Sequence, residues 1–167
     1  MYNPDRVVNA VVRALKSIPQ LVEAMAGDPD RIYGFFYLYG QDTSLKKSIY
    51  EMQPPATQVT SVGVLGGNYS GETMTKHRIE IIVRMQNTKT QQGNPISYGD
   101  IWTIFTNFPV FGSTTSIRGW NLLQNLDIPD VPSYDMIQDA NSVNMMRIML
   151  VIPEVGDIQD TGIQLNA

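Results

Sequence analysis

The chain has no cysteine and a single histidine, His77, in 167 residues. The missing cysteines exclude disulfides, thiolate zinc sites and cysteine nucleophiles. One histidine leaves little material for a metal centre or a general base. Charge is also scarce, at 17% of residues, where globular chains carry about 25%. A surface so thin in charge suits a protein that meets other subunits over much of its exterior. No segment approaches the ~18 consecutive apolar residues of a membrane span. The opening Met1-Tyr2-Asn3-Pro4-Asp5 does not read as a signal peptide, because a polar cap leads straight into a charged helix. These absences set the expectation of a protein that works in a cytosol, or in a particle assembled there, with no membrane partner.

The charge that exists is unevenly spread. Residues 1–90 hold ten Lys/Arg against eight Asp/Glu, a net of +2. Residues 91–167 hold two against eight, a net of −6. The acidic half is either a solvated surface or a face turned to a basic neighbour or an aqueous channel. Without a basic cluster, tight nucleic-acid binding is not expected, since that relies on neutralising phosphates.

The length suits one domain. Asn3 is a good helix N-cap, Pro4 a favoured first residue and Asp5 a favourable first-turn charge. Val7, Val8, Val11, Val12 and Leu15 then form one apolar face. Ser17-Ile18-Pro19 breaks the helix, and Pro19 opens a short second one carrying Leu21, Val22 and Met25, ended by Gly27-Asp28-Pro29. Residues 31–39 are rich in aromatics. With no cation interleaved after Arg31, they read as a buried strand or apolar loop rather than a base-stacking platform. Ser44 is placed to cap a short helix over 45–52 that Pro54-Pro55 stops.

Residues 56–65 read as a strand whose apolar members are Val59, Val62 and Val64. A glycine-rich connection over 66–71 leads back into a strand over 74–85, an antiparallel hairpin. In the returning strand Ile79, Ile81, Val83 and Met85 share one face, and Arg78, Glu80 and Arg84 the other. Only Ile82 breaks the alternation, and the charged face is expected to meet water or a partner. After a polar stretch with the turn signal Gly93-Asn94-Pro95, Ile101, Trp102, Ile104, Phe105 and Phe108 give a helical apolar stripe covering the sheet. Residues 117–126 fit a strand or a short helix. Residues 127–132 are a turn-rich connector, and 135–144 are polar. Residues 143–152 read as a buried last strand stopped by Pro153, and 153–167 as a tail, either frayed or laid on a neighbouring subunit.

Catalytic patterns are missing. Gly63-Val64-Leu65-Gly66-Gly67-Asn68 lacks the lysine of a phosphate loop and the spacing of a dinucleotide fingerprint, so a hairpin is the better reading. His77 has no carboxylate cluster near it in sequence. The pairs Asp28/Asp30 and Asp127/Asp130 lack a calcium-loop progression and fit caps and turns. No serine sits in a Gly-x-Ser-x-Gly elbow. No enzyme activity, cofactor or metal is expected. Trp102 fits the core, while Trp120 fits core and interface alike.

The order of elements resembles the tail-terminator, or tail-completion, proteins of tailed bacteriophages and related neck proteins. It runs from an amphipathic first helix (3–15), through a short helix ending in Pro-Pro (44–55), to a long hairpin (56–85). Then Ile96-Ser97-Tyr98-Gly99-Asp100-Ile101-Trp102 opens a central helix, and an apolar strand with a polar tail closes the chain. The resemblance implies an α+β fold, a single-domain α/β sandwich with a mostly antiparallel mixed sheet and helices on one face. It also implies a structural virion protein: a homo-oligomeric ring, a hexamer, that caps the tail tube and joins it to head-side neck proteins. DNA would pass through its lumen without sequence-specific binding, and the ring would assemble in the host cytoplasm. A head-closure or tube-related ring subunit is the nearest alternative. A small-ligand domain with a pocket of Tyr33, Tyr37, Tyr39 and His77 is a more distant one. The residues expected at subunit or partner contacts are Asn68 and Tyr69 at the hairpin tip, Trp120, and Ile163 and Leu165 of the tail.

Overall fold

Asn3 starts the first helix as its side chain predicts: Oδ1 accepts from the Asp5 N–H at 2.9 Å. In the computed structural model, residues 3–35, 48–69, 72–87, 93–106, 132–138 and 143–157 are described. Helix α1 (Pro4–Lys16) buries Val7, Val8, Ala10, Val11, Val12, Ala14 and Leu15, the expected stripe widened by two alanines. Helix α2 (Pro19–Ala24) follows. It ends where Ala26 takes a left-handed φ of 58° and the Gly27 N–H reaches back to the Val22 carbonyl at 2.9 Å. That bond satisfies a carbonyl the helix end would orphan.

Five strands form one mixed sheet in the order β1-β2-β3-β5-β4. They are β1 (Ile32–Gly34), β2 (Ala56–Tyr69), β3 (Glu72–Arg84), β4 (Ser133–Gln138) and β5 (Asn144–Asp157). Only β1 runs parallel to its neighbour; the other pairings are antiparallel. The molecule is therefore the single-domain α+β sandwich expected, with α1 packed over β1, β2 and β3. Helix α3 (Tyr98–Thr106) buries Tyr98, Ile101 and Phe105. A reciprocal cap starts it. Ser97 Oγ accepts from the Asp100 N–H at 3.0 Å, and Asp100 Oδ2 accepts from the Ser97 N–H at 2.9 Å. The Ser97 N–H bond, joined by one from the Ser97 hydroxyl at 2.9 Å, holds the Asp100 carboxyl below its ordinary range. Phe108 lies outside the described residues.

The helix-side core joins α1, α2 and α3 to Val59, Ile79, Ile81, Val83, Met146, Ile148, Leu150 and Ile152. A second, smaller cluster on the other face holds Tyr33, Ile49, Ala56, Ile82 and Met145. Here the expected open, charged face is corrected in part: Arg78 stays exposed, while the stretch around Ile82 is covered. Ile82 breaks the alternation because that face has its own apolar cover. The turn at 48–52 lies over it, and Arg84 donates to the carbonyls of Ile49 and Met52 at 3.3 and 3.0 Å.

Other boundaries moved as well. Residues 48–52 form a single hydrogen-bonded turn, Glu51 and Met52 both donating to the Ser48 carbonyl, rather than the end of a helix over 45–52. Residues 45–47 lie outside the described residues. The supposed glycine-rich loop is strand, since Gly66, Gly67 and Asn68 pair with Thr75, Met74 and Thr73. The register slips once, between Ser61 and Gly63, where Gly63 takes a φ of 153°. Glycine tolerates such a bulge best. The polar stretch expected at 135–144 begins inside strand β4.

Pro153 does not stop the last strand, which continues to Asp157 opposite Glu72. Strand β4 flanks β5 only from Asn144 to Met149. Beyond that point the outer edge of β5 has no partner among the described residues. Prolines within sheets are found where a strand edge is open.

Tyr98 ties α3 to the sheet. Its hydroxyl accepts from the buried Met85 N–H at 3.1 Å and donates to the Asn144 carbonyl at 3.0 Å. Burial pushes its ionisation above 10.0, with the Met85 bond and Arg84 pulling the other way. The neutral phenol is thus the form that fits the fold. Its contribution is full below pH 10 and fades as the unfolded chain ionises above that value. Tyr98→Phe is expected to cost about 1–2 kcal/mol by stranding the Met85 N–H. It should also flatten the alkaline limb of the stability curve, as read from urea midpoints between pH 7 and 11.

Candidate functional site

Strand β1 flanks β2 only at residues 57–59, and β4 flanks β5 only at 144–149. Beyond these, the sheet narrows among the described residues to a three-stranded ribbon of β2, β3 and β5. Seven residues of β2, from Gly63 to Tyr69, span about 20 Å there. On the helix-side face the ribbon buries Thr75, His77, Ile152 and Glu154. On the other face it presents Leu65, Lys76 and Arg78. Leu65 and Lys76 are directly opposed, as are Gly63 and Arg78.

Five large apolar side chains stand exposed among the described residues: Tyr50, Val62, Leu65, Tyr134 and Met136. Four of them group in two places. Leu65, 57% exposed, and Val62 lie on β2 around its bulge. Val62 was expected among the apolar members of the strand, and the bulge turns it out. Tyr134 and Met136, each 45% exposed, lie on β4 at the opposite edge of the sheet. Trp102 of α3, half-buried, packs against Tyr134 with ring centroids 4.3 Å apart. Trp102 is thus a rim residue as well as a core one. Short alternation in Ser133-Tyr134-Asp135-Met136 is the signal that would have found this strand, but polar neighbours on both sides mask it.

His77 has a partner that sequence distance concealed. Its Nε2 lies 2.6 Å from Glu154 Oε2, with the side chains 0% and 5% exposed. Strand pairing sets Lys76 opposite Pro153 and His77 opposite Ile152, so Glu154 sits diagonally across from His77. Met146, Ile148, Leu150, Ile152 and Glu154 continue one period of two, and only the assumed stop at Pro153 hid the last of them. His77 Nδ1 is buried without a hydrogen-bond partner among the described residues. So enclosed, the pair clasps β3 to β5 and offers no access to a substrate.

On the other face a charge ladder crosses three strands. Arg147 of β5 grips Asp135 of β4 through Nε at 3.0 Å and Nη2 at 2.5 Å. That carboxylate holds the guanidinium more firmly protonated. Glu80 of β3 lies near. Burial raises its ionisation above 4.5, Arg147 opposes the rise and Asp135 adds to it. Two carboxylates around one guanidinium leave this part of the sheet net negative.

Of the expected contact residues, Asn68 and Tyr69 are the last two residues of β2, paired with Thr73 and Glu72. They stand at the tip end of the hairpin, within the strand rather than in a loop, since only residues 70–71 separate β2 from β3. Trp120, Ile163 and Leu165 lie outside the described residues. The tail expected at 153–167 is corrected up to Asp157, which belongs to the sheet; the remainder lies outside the described residues. The pocket drawn from Tyr33 and His77 is excluded, since Tyr33 packs with Ile82 on one face while His77 points to the other. Tyr37 and Tyr39 lie outside the described residues. Among the described residues no three His, Asp or Glu side chains group as a metal site, and no helix is long and apolar enough to cross a membrane.

Because β5 runs to Asp157, removing 153–167 is expected to destabilise the fold rather than leave it intact, since the cut takes Glu154 with it. No protein-family model matches this chain, and no curated protein matches it significantly.

Proposed function

We propose that this chain is a structural subunit of a bacteriophage neck, a tail terminator whose ring caps the tail tube and joins it to the head-side connector. The observation that carries the reading is the pair of exposed apolar patches at opposite edges of one sheet, Val62/Leu65 and Tyr134/Met136. Exposed aromatic and methionine side chains at a sheet edge are the material of protein contacts. Unlike patches on opposite sides of a subunit favour head-to-tail packing, which closes into a ring when the rotation allows. The long three-stranded ribbon supports the same reading, as an arm able to reach a neighbouring subunit. The element order and the helices on one face of a mixed sheet agree with it. The acidic balance of residues 91–167 suits a lumen along which DNA slides without sticking.

Negative-stain images of the concentrated protein test the proposal. Closed rings with a central hole, averaging to six subunits, are the expected result. Particles the size of one 18.7 kDa chain at every concentration would count against it.

A further inference from the structure

Two side chains beneath the turn at 48–52 carry unfilled hydrogen-bond donors, and both are tied to Ile49. Gln58 of β2 is 1% exposed, and its Oε1 accepts from the Ile49 N–H at 2.9 Å. A backbone N–H can give only to the oxygen of an amide, so the NH2 end of Gln58 is left over. That Nε2 is buried without a hydrogen-bond partner among the described residues. Arg84 of β3 lies diagonally across the ladder, since Gln58 opposes Ile82 and Ala56 opposes Arg84. It donates through Nη1 to the carbonyls of Ile49 and Met52. Its Nε is buried and likewise without a partner among the described residues. Neither of its hydrogen bonds uses Nη2.

Nε–H and the Nη2–H beside it form the planar fork that takes a carboxylate or a phosphate in two parallel bonds. One edge of this guanidinium is therefore spent on the turn, and the other stands unfilled. Its charge is unanswered too, because no carboxylate pairs with Arg84 among the described residues. Glu51 of the turn is exposed, while Glu80 and Asp135 of the same sheet face gather around Arg147. Buried donors left unfilled are costly, and so is a desolvated charge without a counter-charge. A water could accept from both side chains, but it brings no charge and has two hydrogens of its own to place. We infer that Arg84 and Gln58 form a binding site for a small oxyanion, a carboxylate or a phosphate. Its oxygens accept from the Nε–Nη2 edge of Arg84 and from the Gln58 amide. Ile49 holds one side chain by its N–H and the other by its carbonyl, so the donors are set before the ion arrives. Arg84 as a whole is only half-buried, which keeps the fork within reach of solvent. The site stands apart from the ring reading and does not depend on it.

Equilibrium dialysis of the purified full chain tests the site, with radiolabelled phosphate in one arm and radiolabelled acetate in the other. Ionic strength is held constant with sodium chloride. About one ion per chain should bind, half-saturating on the order of 1 mM, as so few ligand atoms allow. Tighter acetate would assign the site to a carboxylate, and tighter phosphate to a phosphate. Two variants locate it. Arg84→Lys keeps the charge and removes the fork, and Gln58→Glu supplies a carboxylate from within the chain. Each should weaken binding at least about tenfold, the worth of a charged hydrogen bond. No saturable binding of either ion to the wild type would overturn the site. So would undiminished binding in a variant that keeps the wild-type circular dichroism spectrum; water alone would then fill the gap.

Discussion

Glu154→Leu is expected to lower the free energy of unfolding by about 3 kcal/mol, because it leaves a buried imidazole with neither ring nitrogen bonded to protein. The observation behind this is the 2.6 Å contact between His77 Nε2 and Glu154 Oε2, together with a His77 Nδ1 that already lacks a partner among the described residues. Glu154→Gln keeps an oxygen and an amide within reach of Nε2 and should cost only about 1 kcal/mol, the worth of one altered hydrogen bond. The double variant His77→Leu/Glu154→Leu removes both polar groups. It should recover part of the loss, as buried pairs replaced by apolar side chains commonly do. Urea midpoints for the three variants check the ordering. A loss below about 0.5 kcal/mol for Glu154→Leu would mean that water reaches the imidazole and that the pair clasps nothing.

The second large effect is expected at Ile82. Ile82→Ala should cost about 3 kcal/mol, as truncation of a fully enclosed side chain does. Ile82 is 2% exposed and packs with Tyr33, Ile49, Ala56 and Met145. Glu80→Ala, two residues away on the same face, should change stability by less than about 0.5 kcal/mol, because burial already disfavours its charge. If β3 presented an open charged face, the two substitutions would cost about the same and both little. Equal midpoints for Ile82→Ala and Glu80→Ala would therefore contradict a second core on that side of the sheet.

The parts of the fold legible in the sequence are those whose hydrophobic period runs long. Helix α1 shows its cap, its first-turn proline and its stripe without help from tertiary contacts. The β2–β3 hairpin is legible for the same reason, and so is the core face of α3. What stayed hidden is what pairing decides. Strand β4 is six residues long with most side chains exposed, so its existence depends on β5 rather than on its own pattern. Gly66 and Gly67 look like a loop in isolation but are held extended by Thr75 and Met74 across the hairpin. Pro153 looks like a stop, yet that edge of β5 has no partner among the described residues, and a proline is tolerated there.

The candidate contact surface was legible only in kind. A low total charge points to assembly, but which apolar residues face outward depends on a bulge and on the sheet order. Val62 is turned out by the irregularity at Ser61/Gly63, and Tyr134 by its place on the outermost strand. The His77–Glu154 pair joins residues 77 positions apart. Only the register of β3 against β5 brings them together.

The measurement that most directly tests the central claim is the mass of the purified full chain by light scattering across a concentration series. The account predicts a discrete species near six times 18.7 kDa, populated as concentration rises. A mass that stays at one chain over the whole series would contradict it.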